Sequence, residues 1–348
     1  MRALRLLDWK SEPVLEEVEE PTAGPGQVVM RIGGAGACHS DLHLMHDFSP
    51  GELPWGPPFT LGHENAGWVH QLGEGVTGLE VGQAVAVYGP WGCGTCSRCQ
   101  LGIETYCENL AAAPAPGGGG GLGWDGGMAE FMLVPAQRLV VPLPEGLDPI
   151  HAAPLTDAGL TPYHAIRRSW SKLTPDATAV VIGVGGLGHL AVQLLKATTA
   201  ARVVAVDNRP EALELATGYG ADVTVEAGTD AAEQIRQSTG GRGADVVLDL
   251  VGSDATLALG TGVARQMGDV TIVGIAGGSM TFSFYSQAYE VSLQTTYWGS
   301  RPELTEVLEL GSRGLVQPKV TQVSLEDAAD AYRHMAEGKI QGRVVVVP

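Results

Sequence analysis

Four cysteines fall within fifteen positions of this chain, as Cys93-x2-Cys96-x2-Cys99-x7-Cys107. Tetrahedral zinc favours soft thiolate ligands, and four of them close its coordination shell. The lobe around them holds few large apolar residues, so a metal there would replace a core and its binding energy would become folding energy. A total of five cysteines, odd and tightly clustered, argues for metal ligation over a disulfide framework. The fifth, Cys38, stands in Gly36-Ala37-Cys38-His39-Ser40-Asp41-Leu42-His43, a stretch dense in polar groups. A lone cysteine is often a small buried apolar residue, and on its own spacing that reading stays open. Gly62-His63-Glu64 offers a further pair of ligand types. It is not the helical HExxH of a metalloprotease, because Gly67 occupies the second histidine position.

A second kind of chemistry is written at Gly183-Val184-Gly185-Gly186-Leu187-Gly188, directly after the apolar run Ala179-Val180-Val181-Ile182. A GxGxxG between a strand and a helix is a dinucleotide site. Gly183 serves the tight turn, Gly185 the approach of backbone to pyrophosphate, and Gly188 close packing of helix on strand. The helix N-terminus then faces the phosphates. A following strand ends at Asp207, whose carboxylate suits the ribose hydroxyls and repels a 2′-phosphate, so NAD is expected over NADP. Arg209 works the other way, since it can accommodate that phosphate.

The elements that must position these groups change character along the chain. Strand-like runs at 3–7, 27–32, 65–72, 83–88 and 128–134 are separated by Gly and Pro, which predicts an irregular, mostly β domain. Thr178 to Ile182 reads as a strand buried on both faces, followed by a helix over 187–197. Alternation continues with a strand at 202–206, a helix at 210–217, and strands at 244–250 and 270–275. That is the pattern of a doubly wound parallel sheet. Segment 315–348 returns to strand, helix and strand and is expected to rejoin the first domain. Residues 111–123, Ala/Pro and then a glycine run, form a long loop with no assigned role, either a surface excursion or part of an active-site rim.

Composition narrows the function classes. A length of 348 residues, 44% apolar, fits two globular domains. A net charge of −18 disfavours nucleic acid and anionic membrane as partners. An anionic cofactor must therefore be held by local backbone N–H groups. The N-terminal decapeptide has no apolar signal core, and the long uncharged runs at 177–195 and 270–289 are each interrupted by glycines and polar residues, unlike a bilayer span. A cytoplasmic location is expected.

Taken together, Cys38-His39-Ser40-Asp41, Gly62-His63-Glu64, the four-cysteine lobe and GxGxxG resemble, in order, the zinc-dependent medium-chain dehydrogenases along the whole chain. The segments 88–94, 154–163 and 297–299 resemble the NAD-dependent secondary alcohol dehydrogenases of that family. The resemblance implies a GroES-like β domain at 1–155 and 299–348, with a structural-zinc lobe at 89–110, and an NAD-binding Rossmann domain at 156–298. It implies two zinc ions per chain, the catalytic one on Cys38, His63 and Asp157. The family more often has a cysteine where Asp157 stands. Glu64 would be an outer carboxylate or alternating ligand. Ser40 would accept the substrate's hydroxyl proton and His43 would pass it to water, while His39 would lie near the cofactor pyrophosphate. Trp55, Tyr297 and Trp298 are candidates for the wall of a pocket taking a small alcohol or ketone. A polyol or threonine-type zinc dehydrogenase is the nearest rival. Relatives are usually dimers or tetramers, and the β-prone run Thr281 to Tyr285 is expected to pair edge to edge with its copy.

Overall fold

A run of apolar residues without alternation has no face to offer water, and Thr178–Ile182 is buried at every position. The structure, a computed structural model, describes residues 1–348, which divide into two compact units. The unit Thr161–Trp298 with Leu315–Gln317 is built on six parallel strands. Their order is Val223–Glu226, Arg202–Asp207, Thr178–Ile182, Ala244–Asp249, Ala264–Ile272 and Ser292–Thr295. The order reverses at Thr178–Ile182, so the topological switch point lies at its carboxyl end, where Gly183 begins. Val180, Ile182, Val204, Val206 and Val247 form the centre of the core, each contributing about 1.5–3 kcal/mol by burial.

The helices follow the strands as the pattern requires, at Gly188–Thr198 and Pro210–Gly218. The strand expected at 270–275 instead runs Ala264–Ile272, with a register shift against its neighbour and a left-handed Met267 at φ 63°. The expected strand at Thr281 to Tyr285 is absent, and that segment is coil and turn. Phe284 packs on Tyr285 and Tyr289 rather than extending along a sheet. The outer strand of the sheet on that side is Ser292–Thr295.

The other unit comprises Met1–Leu160, Gly299–Gly314 and Pro318–Pro348. Its boundary falls after Leu160, which places Asp157 on the same side as Cys38 and His63. The central strand, Val28–Ala37, is buried everywhere but at Arg31. It pairs antiparallel with Glu64–Leu72, with Phe131–Val134 and with Arg343–Val347. The C-terminal segment supplies strand Val320–Ser324, helix Ala328–Ala336 and strand Arg343–Val347, the two strands lying parallel. No helix is long and apolar enough to cross a membrane.

Candidate active site and metal centres

Three ends of chain elements meet in the first unit. Cys38 follows strand Val28–Ala37 and caps helix His39–His46. His63 precedes strand Glu64–Leu72, and Asp157 ends the 3₁₀ turn Ala153–Thr156. Cys38, His63, Glu64 and Asp157 each offer a ligand atom, and all of these atoms lie within 4.8 Å of one another. His63 Nε2 and Asp157 Oδ2 are 3.5 Å apart. A tetrahedral ion with nitrogen and oxygen ligands near 2.0–2.1 Å spaces them by about 3.3 Å, so the residues present fit zinc. Glu64 begins a β-strand, which explains why its sequence context carries no second histidine at helical spacing.

The surroundings orient these ligands. Asp41 is fully buried, and its Oδ1 lies 3.1 Å from His63 Nδ1. Nδ1 faces the carboxylate as an ion-pair contact, which turns Nε2 toward the other ligand atoms. Asp41 Oδ2 accepts the Cys38 N–H at 3.0 Å and the Tyr332 hydroxyl at 2.6 Å. Burial disfavours a charged His63, yet the Asp41 charge outweighs it with the help of hydrogen bonds to Asp157, Asp41 and Cys38. The imidazole pKa consequently lies well above its ordinary value in the metal-free chain.

Glu64 is also buried and pairs with the buried guanidinium of Arg343. Its Oε1 takes that contact, whereas Oε2 has no hydrogen-bond partner. Burial pushes this carboxyl up and Arg343 pulls it down, leaving it at about 7. Strand register sets Gly36 opposite Glu64, and a Cβ at Gly36 would lie 2.0 Å from Glu64 Oε2. Only glycine leaves room for the carboxylate there.

Ser40 Oγ lies 3.4 Å from His63 Nε2, at the edge of the ligand cluster. The helix that carries it, His39–His46, was hidden in the sequence by its polar density. His39 and His43 lie along the same helix with ring centroids 6.0 Å apart, and His43 Nδ1 contacts the Asp47 carboxylate. Burial, and then the neighbouring His43, lower the His39 pKa.

The glycine-rich stretch 111–123 packs back onto this unit in its second half. Residues 118–122 are buried and lie against the turn that bears His63. A Cβ on Gly121, which has φ +80°, would sit 2.5 Å from the Gly62 carbonyl carbon and 2.8 Å from His63 N. One on Gly123 would strike the Trp55 ring at 2.4 Å. Backbone thus replaces side chains as the packing material behind one ligand.

In the separate lobe, the four thiols also gather within 4.8 Å. The Sγ separations include 3.4 Å for Cys96–Cys99, 3.9 Å for Cys93–Cys99 and 4.0 Å for Cys96–Cys107. Four sulfurs at about 2.3 Å from one tetrahedral ion are about 3.8 Å apart, so this set fits zinc as well. Hydrogen bonds from Thr95 and the Cys96 N–H bring Cys93 down to about 5, which favours the thiolate that a metal needs. Buried Glu104 braces the lobe, accepting from Gly92 N at 2.9 Å and from Arg138 Nε at 3.2 Å.

In the second unit the glycine turn has the geometry of its three roles. Gly183 has φ +87°, and a Cβ on Gly188 would lie 1.9 Å from Gly183 O. At Gly185 the nearest atom to such a Cβ is Arg209 Nη2 at 4.0 Å, so the approach is open. Gly186 and Leu187 complete the turn, and Leu187 caps helix Gly188–Thr198. Asp207 Oδ2 accepts the Val184 N–H at 2.7 Å, while Oδ1 accepts from Arg209 N at 3.0 Å and Nε at 3.2 Å. The carboxylate therefore also ties the glycine turn to its own strand end.

Of the three aromatic candidates, Trp55 packs on Trp9 and Phe59 in the first unit. Tyr297 and Trp298 stack at 5.4 Å in the second, with Tyr297 half exposed and Trp298 buried. Asp41, Tyr332 and Arg343 were missed as site residues from the sequence. Asp41 sat in plain view three residues from Cys38, but the other two reach the site only through the folded C-terminal segment.

Comparison with known proteins matches residues 24–145 to the alcohol dehydrogenase GroES-like domain and residues 186–313 to the zinc-binding dehydrogenase family. An NAD-dependent alcohol dehydrogenase of Sulfurisphaera tokodaii is 36% identical, with 100% of both chains covered. A D-arabinose 1-dehydrogenase (NADP(+)) of Saccharolobus solfataricus is 34% identical, over 99% of this chain and 97% of that one. Among solved structures, the alcohol dehydrogenase of Aeropyrum pernix superposes with a TM-score of 0.91 at 39% identity, covering 100% of both chains.

Proposed function

The chain belongs to the zinc-dependent medium-chain dehydrogenase family, and from that premise we propose that it is an NAD-linked alcohol dehydrogenase acting reversibly on small secondary or aryl-alkyl alcohols and their ketones. The observation that carries this reading is the convergence of Cys38, His63 and Asp157 with the Ser40 hydroxyl beside them. Zinc, when bound, supplies a Lewis acid that acidifies an alcohol or polarises a carbonyl, and NAD supplies the hydride acceptor.

The remaining work falls to the chain. Cys38, His63 and Asp157 would hold the ion, and Asp41, facing His63 Nδ1, would keep Nε2 turned toward it. Glu64 stays in reserve, held by Arg343. Ser40 accepts the hydroxyl proton, and His43, oriented by Asp47, exchanges it with water. Cys93, Cys96, Cys99 and Cys107 would hold a second, structural zinc, for two ions per chain. Gly183, Gly185 and Gly188 would cradle the pyrophosphate, and Asp207 favours NAD. The working form is a homodimer or homotetramer.

A polyol or sugar reading remains the rival, because a relative of comparable identity is a D-arabinose 1-dehydrogenase. NADH absorbance with 2-alkanols, 1-phenylethanol, polyols, D-arabinose and threonine separates the two. Turnover of the 2-alkanols or 1-phenylethanol at least tenfold above the polyols and sugar supports the proposal, and the reverse ranking refutes it.

A further inference from the structure

Tyr332 lies on helix Ala328–Ala336, far along the chain from any ligand, and is 1% exposed. Its hydroxyl donates to Asp41 Oδ2 at 2.6 Å across 291 residues of sequence. The same hydroxyl is 3.2 Å from Met128 Sδ, a weaker acceptor, so its single proton goes to the carboxylate. Asp41 touches two of the three ligands at once, through the Cys38 backbone N–H at 3.0 Å and the His63 ring at 3.1 Å. The hydrogen bonds that orient this carboxylate both fall on Oδ2, and without the phenol only the Cys38 N–H restrains it while Oδ1 faces His63.

We propose that Tyr332 is a positioning residue for the metal site, fixing Asp41 so that His63 presents Nε2 to the ion in one orientation. The C-terminal segment thereby sets how firmly an ion is held at residues 175 or more positions away. The inference rests on the reading of Cys38, His63 and Asp157 as metal ligands. Partners of metal-bound histidines typically govern metal affinity by 10–100-fold, and Tyr332 acts one contact further out.

The test uses the full-length zinc-loaded protein and Tyr332→Phe, which removes the hydroxyl and keeps the ring. Zinc transfer to a chromogenic chelator is followed in time, together with the visible spectrum after cobalt replacement. One zinc per chain should leave about tenfold faster than in wild type, the four-cysteine zinc should be unchanged, and the cobalt bands should shift. Unchanged release with an unchanged cobalt spectrum overturns the proposal, as does an equal loss of Tm in metal-free and zinc-loaded forms with release unaltered. Asp41→Asn, nearly the same shape, carries the same test if Tyr332→Phe does not fold. A wild-type protein whose only zinc survives Cys38→Ser overturns the metal-site reading itself, and this inference falls with it.

Discussion

Ser40 Oγ stands 3.4 Å from the Nε2 of His63, the nitrogen that also lies 3.5 Å from Asp157 Oδ2. A hydroxyl so close to a ligand atom can exchange a proton with a substrate oxygen without holding the ion itself. Ser40→Ala should therefore lower turnover about a hundredfold to ten-thousandfold while metal content stays the same. Metal analysis beside steady-state kinetics checks this, and an unchanged rate removes Ser40 from the relay.

Glu64 and Arg343 form an ion pair with side chains 0% and 4% exposed. Removing one member of such a pair strands the other charge away from water. Arg343→Met should destabilise the chain by about 3–5 kcal/mol, and the double variant with Glu64→Gln should recover much of that. Denaturant titration of the three proteins gives the comparison. Equal losses in the single and double variants would show that packing, not charge, is what Arg343 contributes.

Protonation of the same cluster makes the metal-free protein pH-dependent. Burial lifts Glu64 from 4.5 to about 7, so the native chain holds a proton there that the unfolded chain releases. His63 is likewise raised, because Asp41 outweighs burial. For both groups the stabilisation is full below the unfolded pKa and is lost as pH rises through the folded one. Stability of chelator-treated protein should fall across pH 4.5 to beyond 7, by at most about 1.4 kcal/mol per pH unit from each group. Glu64→Gln should flatten part of that slope, and identical slopes in wild type and variant contradict the assignment.

Gly121 supports the His63 turn by lacking a side chain. Its φ of +80° and the 2.5 Å approach of a Cβ to Gly62 leave no room for alanine. Gly121→Ala should cost about 1–3 kcal/mol of stability and weaken the metal site, because the turn bearing His63 must shift. Calorimetry with a metal titration reads both effects, and unaltered metal affinity would sever the link between the glycine belt and His63.

How much of this was legible depended on how far apart the cooperating residues lie. Cys93, Cys96, Cys99 and Cys107 declare themselves because one short lobe supplies every ligand. The glycine turn and Asp207 are similarly local, joined through adjacent parallel strands. Cys38 and His63 were visible as types, but their meeting depends on strand pairing between Val28–Ala37 and Glu64–Leu72. Tyr332 and Arg343 left no pattern, since their contacts span 291 and 279 residues. The aromatic run near 281–285 forms no strand within the chain: β propensity reports a fit to a pleated, half-buried surface, and Phe282, Phe284 and Tyr285 are exposed in irregular chain.

The most direct measurement is zinc per chain in wild type and Cys38→Ser, taken on the same samples as NAD-dependent alcohol oxidation. Two zinc ions in wild type and one in Cys38→Ser, with oxidation lost in the variant, is the expected result. Two ions retained in Cys38→Ser, or full activity with one, would contradict the account.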